Sequence, residues 1–459
     1  MLKNDIVAFA HEIAKKASDV SGLEYEMYAS WGDSFQVKVV DGQIDNYSVH
    51  DFIGISLRVK YEGKIGYAST TSPDVSYAGQ LLEKAIENAK ITESPDEQFI
   101  YGGDKEYPKV LTSKAALDSV TSAEKIEMAK EMEKYALSHS DMIIRTMGSY
   151  VISESSHRMI YNSNGLDVSE SSGYIVAYVV PIAKKGDEMN SGFAYTAGFD
   201  KESLDIKKAA EEAAEDAIRF CGAGSCDGGN MKTVIDAKAV CELLSTFSGI
   251  FSSDNTQRGL SLLAGKEGEK IASEKINITD KPVVDLSFGS RSFDDEGVAS
   301  QNTVIIEKGE LKTLLYNLKT AKKAGCKTTA NACKGSYSSP VAVSFSNFIL
   351  ESGTLTKDEI VQKAQNGVML TSLEGLHAGA NVTTGDFSLS AQGILIKDGK
   401  LDRPVTGMTV SGNIYELLKN VQEVGNDVYT DPFGFVISCP SILLEKPLPI
   451  AAEGENGND

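Results

Sequence analysis

Histidine is scarce in this chain. Its 459 residues hold five, His11, His50, His139, His157 and His377, and no two lie closer than 18 residues. A zinc hydrolase that carries its metal on a helix needs two imidazoles on one face with a carboxylate beside them, as in H-E-x-x-H. His11-Glu12 begins that pattern, but Lys15 and Lys16 stand where it should close, so His11 reads as a helix-surface residue. Cysteine is nearly as sparse. Cys221 and Cys226 have four residues between them, Cys326 and Cys333 have six, and neither is the C-x₂-C of a zinc ribbon. Six cysteines in a chain of this length are too few for a disulfide framework, and a reducing compartment keeps them as thiols. Basic residues are also in deficit. With 45 Lys+Arg against 65 Asp+Glu, the formal net charge of −20 repels phosphate backbones, which argues against nucleic-acid binding. No apolar run approaches the ~20 residues that a membrane-spanning helix needs. The start, Met1-Leu2-Lys3-Asn4-Asp5, lacks the charged-then-apolar layout of a secretion signal. The expectation is a cytoplasmic protein with no membrane or nucleic-acid partner. No G-x-S-x-G elbow occurs. Gly259 to Gly265-Lys266-Glu267 fails as a phosphate loop, because five residues rather than four separate its glycines and Glu267 replaces the magnesium-binding hydroxyl.

What is present is the composition of a folded globular chain, 41% hydrophobic and 24% charged, at a length that predicts two or three domains. Asn4 to Ala17 has helical spacing. From Glu24 to Ser69 the period switches to two, with turns at Asp41-Gly42 and Glu62-Gly63, and a helix follows from about Val75 to Lys90. The same grammar then returns. A helix over Ser122 to Ser138 precedes strands at Met142 to Glu154, Arg158 to Asn162 and Val168 to Ile182, then a strand at Gly192 to Thr196 and a helix over Lys201 to Phe220. The tokens Gly63-Lys-Ile-Gly-Tyr-Ala-Ser-Thr and Asn190-Ser-Gly-Phe-Ala-Tyr-Thr-Ala hold the same place in the two units, which fits either duplication or convergence. A joint of Gly, Ser, Asp and Asn, Cys221 to Asn230, favours a loop over any regular element. Beyond it the pattern is mostly strands, with hairpin turns at Lys308-Gly309 and Asp398-Gly399 and short helices at Lys357 to Asn366 and Ile414 to Val421. The predicted fold is α+β: two amino-terminal helix-plus-antiparallel-sheet units, residues 1–115 and 116–225, then a larger, mostly antiparallel β domain with a few helices, residues 226–450. Residues 451–459 read as a disordered tail.

Two stretches stand out. Asp294-Asp295-Glu296-Gly297 has the acidic side chains of a cation site, but acidic residues before a glycine more often make a solvated turn, and that is the reading preferred. Gly375 to Gly393 crowds glycines with His377, Asn381, Gly385 and Asp386 at the start of a strand, which suits a structural loop or one that contacts a peptide or partner.

The third region resembles a known family. Gly265-Lys-Glu-Gly-Glu-Lys-Ile-Ala-Ser273, Phe293-Asp-Asp-Glu-Gly-Val298, Gly309-Glu-Leu, Asn317-Leu-Lys-Thr-Ala321, Thr384-Gly-Asp-Phe-Ser388, Pro404-Val-Thr-Gly-Met-Thr-Val-Ser-Gly-Asn413 and Val424-Gly-Asn-Asp427 occur in the order seen in TldD/PmbA proteins. With the two earlier units the resemblance covers nearly the whole chain. It implies an intracellular metallopeptidase system in which a TldD-type subunit holds zinc on an H-E-x₃-H helix and pairs with a PmbA/TldE-type subunit. The matching position here reads Leu244-Ser245-Thr246-Phe247-Ser248-Gly249, with Leu244 and Gly249 in place of both His and Ser245 in place of the Glu. That loss removes both metal ligands and the general base. Cys439, before Pro440, does not align with the third ligand of TldD-type subunits. The resemblance therefore implies a PmbA/TldE-type chain, inactive alone, with zinc in a TldD-like partner and unfolded peptides as substrates. The alternative is a homodimeric peptide-binding or regulatory module without peptidase activity. The family's older description as a modulator of DNA gyrase implies a link to DNA processes, which the charge of −20 would route through degradation of a protein partner.

Overall fold

A computed structural model describes residues 2–93, 99–433 and 436–452, apart from the side chain of Asp118. It opens with helix α1 (Leu2–Ala17), strands β1 (Glu24–Val40), β2 (Gln43–Tyr61) and β3 (Lys64–Thr70), and helix α2 (Ala78–Ile91). The second unit follows as α3 (Ser122–Ser138), β4 (Ile143–Asn162), β5 (Asp167–Lys185), β6 (Glu188–Ser191), β7 (Ala194–Gly198) and α4 (Ile206–Arg219). The two units do not form separate sheets. Their strands join in the order β3-β2-β1-β4-β5-β6, with β7 also on β5, through a long antiparallel β1–β4 pairing from Glu26↔Asn162 to Val39↔Ser149.

Alternation along β1 explains how one sheet serves both units. Met27, Ala29 and Trp31 pack with α1 and α2, while Phe35 and Val37 pack with α3 and α4. All five are odd-numbered, so both helix pairs lie on one face. The shared tokens occupy equivalent places. A Cβ on Gly66 would sit 2.0 Å from the Ala85 carbonyl oxygen, and one on Gly192 would sit 2.1 Å from that of Ala213, so each glycine lets α2 or α4 rest directly on its strand. The turns follow from local chemistry: Asp41-Gly42, Glu62-Gly63, Lys308-Gly309 and Asp398-Gly399 all have both φ values positive, as a two-residue type I′ hairpin requires.

Three expectations change. The break between Glu154 and Arg158 does not exist. Ser155, Ser156 and His157 look like a turn but lie mid-strand in β4, paired to both β1 and β5, with Ser156 Oγ 2.8 Å from Ser172 Oγ and His157 Nδ1 2.6 Å from Ser171 Oγ. The glycine-rich joint holds two short strands, Gly224–Ser225 and Gly229–Met231, because backbone alone suffices for pairing at a sheet edge. Ala451 and Ala452, assigned to the tail, pair with Thr409 and Met408, and residues 453–459 lie outside the described residues.

The carboxy-terminal region stacks a nine-stranded sheet and a six-stranded sheet around one large core. Pairing is mostly antiparallel, but Thr233–Ile235 runs parallel to the strand Gly367–Glu374, and Asn347–Leu350 runs parallel to Val436–Cys439. Helix α5 (Ala237–Phe247) sits within this core, burying Val240, Cys241, Leu243, Leu244 and Phe247. The segment after residue 99 straps the two bodies together: Tyr107 Oη donates to the Gly297 carbonyl at 2.8 Å, and the Leu111 amide donates to Asp285 Oδ1 at 2.7 Å.

Candidate functional site

The position expected to match a zinc helix falls at the end of α5. Leu244 is 2% exposed and points into the core, Ser245 is half-buried, and Gly249 is exposed in the 3₁₀ turn that follows. An aliphatic chain, a hydroxyl and a bare Cα are not a zinc donor set. The residues present do not fit the metal. Cys439 lies elsewhere, buried beside Cys241, with its thiol pushed up by burial and by that neighbour.

The earlier turns of α5 border a cavity of about 720 Å³ between the second unit and the carboxy-terminal domain. Asp236 caps α5, accepting from the Lys238 amide at 3.2 Å, and its other oxygen pairs with Lys357. Asp427 anchors the same end through Ser441: Ser441 Oγ donates to Asp427 Oδ2 at 2.6 Å and accepts from the Ala237 amide at 3.1 Å. One turn on, Glu242 accepts from the Leu373 amide at 3.0 Å. Burial pushes this carboxyl up to about 7, against the opposing pull of Lys238 and that amide. Burial raises Asp431 as well, again opposed by Lys238. Across the cavity stand Phe193, Tyr195 and Tyr429, part of an aromatic cluster in which Tyr195 packs 5.2 Å from Phe433 and 6.0 Å from Tyr429. Tyr195 Oη also donates to the Thr430 carbonyl, which ties the second unit to the carboxy-terminal domain.

The acidic turn exists, with Gly297 at φ 78° and its amide donating to the Asp294 carbonyl at 3.0 Å, but it is not solvated. Asp294, Asp295 and Glu296 are 0%, 6% and 4% exposed. They pack against the face of the amino-terminal sheet opposite its helices. Arg158 Nη1 donates to Asp295 Oδ1 at 2.6 Å, Arg158 Nε donates to Glu170 at 2.7 Å, and the guanidinium stacks 4.6 Å from the Phe293 ring. Arg58 pairs with Glu26 at 3.0 Å and reaches Glu296 at 3.9 Å. Asp294 accepts the Glu296, Val298 and Ala332 amides. Burial raises both Asp294 and Glu296, and the Asp294 charge pushes Glu296 further, to about 8. Burial likewise pushes Lys334 down to about 8. Every carboxylate here is spent on arginines and backbone amides, so the cluster is a joint between two bodies.

The loop around His377 divides. Asn381 Oδ1 accepts the Thr383 and Thr384 amides at 3.1 Å, and Asp386 accepts from Asn413 at 2.8 Å, so both shape the loop. Gly385, at φ 84°, has no room for a Cβ beside Tyr415. His377 is exposed. Sequence reasoning missed the cavity. A signal existed in Lys238 and Glu242, an i, i+4 pair and the two charged residues of a helix whose other side chains are uncharged.

Sequence comparison gives the family. Residues 25–90, 115–220 and 228–447 match, in turn, domain 1, the central domain and the C-terminal domain of the PmbA/TldA metallopeptidases. The chain belongs to the TldD/PmbA family. It is 31% identical over 413 residues to a metalloprotease of Methanothermobacter thermautotrophicus, covering 88% of each chain. Among solved structures, a Thermotoga maritima protein described as a modulator of a DNA gyrase superposes with a TM-score of 0.90 at 28% identity, covering 97% of this chain and 99% of that one. TldE from Thermococcus kodakarensis superposes with a TM-score of 0.88 at 25% identity, covering 96% of this chain and all of the other, 100%. Among the described residues of this TldD/PmbA chain, no three His, Cys, Asp or Glu side chains converge as a metal-binding group, and no helix is long and apolar enough to cross a membrane.

Proposed function

We propose that this chain is the non-catalytic, PmbA/TldE-type subunit of a cytoplasmic metallopeptidase, pairing with a TldD-like chain that bears the zinc and helping to enclose the space in which unfolded peptides are cut. The observation that carries the reading is that Leu244, Ser245 and Gly249, which the family resemblance matches to H-E-x₃-H, offer no metal donor set at the end of α5 and in the turn after it, with Leu244 turned into the core. Without a carboxylate or imidazole at those three positions, that turn offers water neither a base nor a metal ligand. The overall likeness to TldE supports the same assignment.

Zinc content and cleavage of an unstructured peptide, measured on the purified chain and on the chain co-purified with a zinc-bearing family member, test the proposal. Metal and cleavage are expected only in the pair. Stoichiometric zinc with peptide cleavage by the isolated chain would refute it, and a stable homodimer that ignores the zinc-bearing chain would favour the regulatory reading.

A further inference from the structure

The cavity beside α5 has an aromatic wall and a polar floor, and two of its cations, Lys238 and Arg219, form no ion pair among the described residues. Asp236 is taken by Lys357, Asp216 accepts the Phe193 amide at 3.3 Å, and Glu212 faces Lys208 at 3.6 Å. Lys238 has no ion pair among the described residues, and its Nζ stands 5.7 Å from the centre of the Phe193 ring. The carboxyls behind it, Glu242 and Asp431, are both raised by burial and both act on Lys238 electrostatically, but neither forms an ion pair with it among the described residues.

The character of the lining selects among anions. Arg219, Lys238 and Lys357 face Glu212, Asp216, Asp236 and Glu374, an excess of negative charge that repels a polyphosphate but accepts a single carboxylate placed at Lys238, whose ammonium stands beside the aromatic wall while the other cation without an ion pair, Arg219, lies on α4. Phe193, Tyr195 and Tyr429 offer an apolar surface next to it. Strand β7 pairs with β5 along one edge, and among the described residues no strand pairs with its other edge, although Ala194 to Ala197 line the cavity. An open edge offers alternating N–H and C=O groups to an extended chain whatever its sequence.

We propose that this cavity holds the carboxy-terminal end of a peptide, with the free carboxylate on Lys238, the last apolar side chain against Phe193, Tyr195 and Tyr429, and the preceding backbone along β7. The inference rests on the reading of peptides as the substrate and adds which end of the peptide this chain grips. In that role the subunit is a specificity element: it selects for a free end without touching the bond that is cut.

The test is fluorescence anisotropy on the full chain alone, with an amino-terminally labelled, unstructured peptide ending in phenylalanine as the free acid or as the amide. A charge-assisted hydrogen bond to one carboxylate predicts binding of the acid about tenfold or more tighter than the amide. Lys238→Gln is expected to abolish that preference and Lys238→Arg to keep most of it, while circular dichroism reports folding of both. Equal binding of acid and amide, no binding of either, or a preference that survives Lys238→Gln overturns the proposal. Displacement of the peptide by ATP with the same dependence on Lys238 also overturns it, in favour of a phosphorylated ligand. Because no zinc-bearing chain is present, failure here leaves the pairing proposal standing, and acid-selective binding without any cleavage in the reconstituted pair would reject the pairing proposal alone.

Discussion

Arg158→Met asks how firmly the amino-terminal sheet is seated on the carboxy-terminal domain. Arg158 is 17% exposed and serves two carboxylates, Glu170 at 12% and Asp295 at 7%, together with the Phe293 carbonyl. Methionine keeps the stem over the Phe293 ring but leaves both carboxylates without a cation in a site that excludes most water. Removing one partner of a buried pair costs about 3–5 kcal/mol, mostly as the penalty for the stranded charge. Asp295→Asn in the same background removes one stranded charge and should recover about 1–3 kcal/mol as coupling energy in a double-mutant cycle. Urea unfolding followed by tryptophan fluorescence is a suitable assay, since Trp31 lies in the same sheet and is the only tryptophan. Several cores need not unfold together, so the first transition is the one to compare. A single-mutant cost below about 1 kcal/mol, or additive effects of the two substitutions, would refute a structural role for the buried ion cluster.

Two further predictions concern single positions. Glu296, held up to about 8 by burial and by Asp294, has a folded pKa above the unfolded value of about 4.3, so its contribution to stability is full below the latter and is lost as pH rises through about 8. Glu296→Gln should cost little at pH 6 and should flatten the decline of the urea midpoint between pH 7 and 9; an unchanged slope would place the titration elsewhere. Gly66→Ala and Gly192→Ala each drive a Cβ into a helix carbonyl, at 2.0 Å from Ala85 and 2.1 Å from Ala213. Each should destabilise its half of the sheet by about 1–3 kcal/mol in urea unfolding, and a neutral result at either position would mean that its helix is free to shift.

The parts of this fold legible from sequence are those set by neighbours in the chain. Asp41-Gly42 and Glu62-Gly63 predict their turns because positive φ at two successive positions is a local requirement that glycine meets. The serine-rich middle of β4 resembles a turn because small polar residues are common there, whereas here they sit on rungs paired from both sides. The acidic turn misleads for a related reason. Its partners, Arg58 and Arg158, lie more than a hundred residues away, and a local rule for Asp and Glu before Gly cannot see them. The lack of imidazole and carboxylate at Leu244, Ser245 and Gly249 is legible in the sequence, but the cavity beside α5 is not, because its walls come from β7, α4, α5 and Val428 to Thr430.

Joint and cavity belong to one contact between the amino-terminal sheet and the carboxy-terminal domain. The buried ions close it where β1, β2 and β4 meet Phe293 to Glu296, and the bond from Tyr195 to the Thr430 carbonyl closes it where β7 meets the strand Tyr429–Asp431. Between them the spacing of β7 from Lys238 is held by the buried ions, which touch neither, and by Tyr195, which belongs to β7 itself. A peptide carboxylate on Lys238 and its backbone on β7 would bridge the same two bodies, so its binding energy would add to that of the joint instead of competing with it. The buried charges are then suited to holding two cavity walls at a set distance, because an ion pair that fails leaves a stranded charge and tolerates few intermediate positions, whereas an apolar contact of the same area could slide.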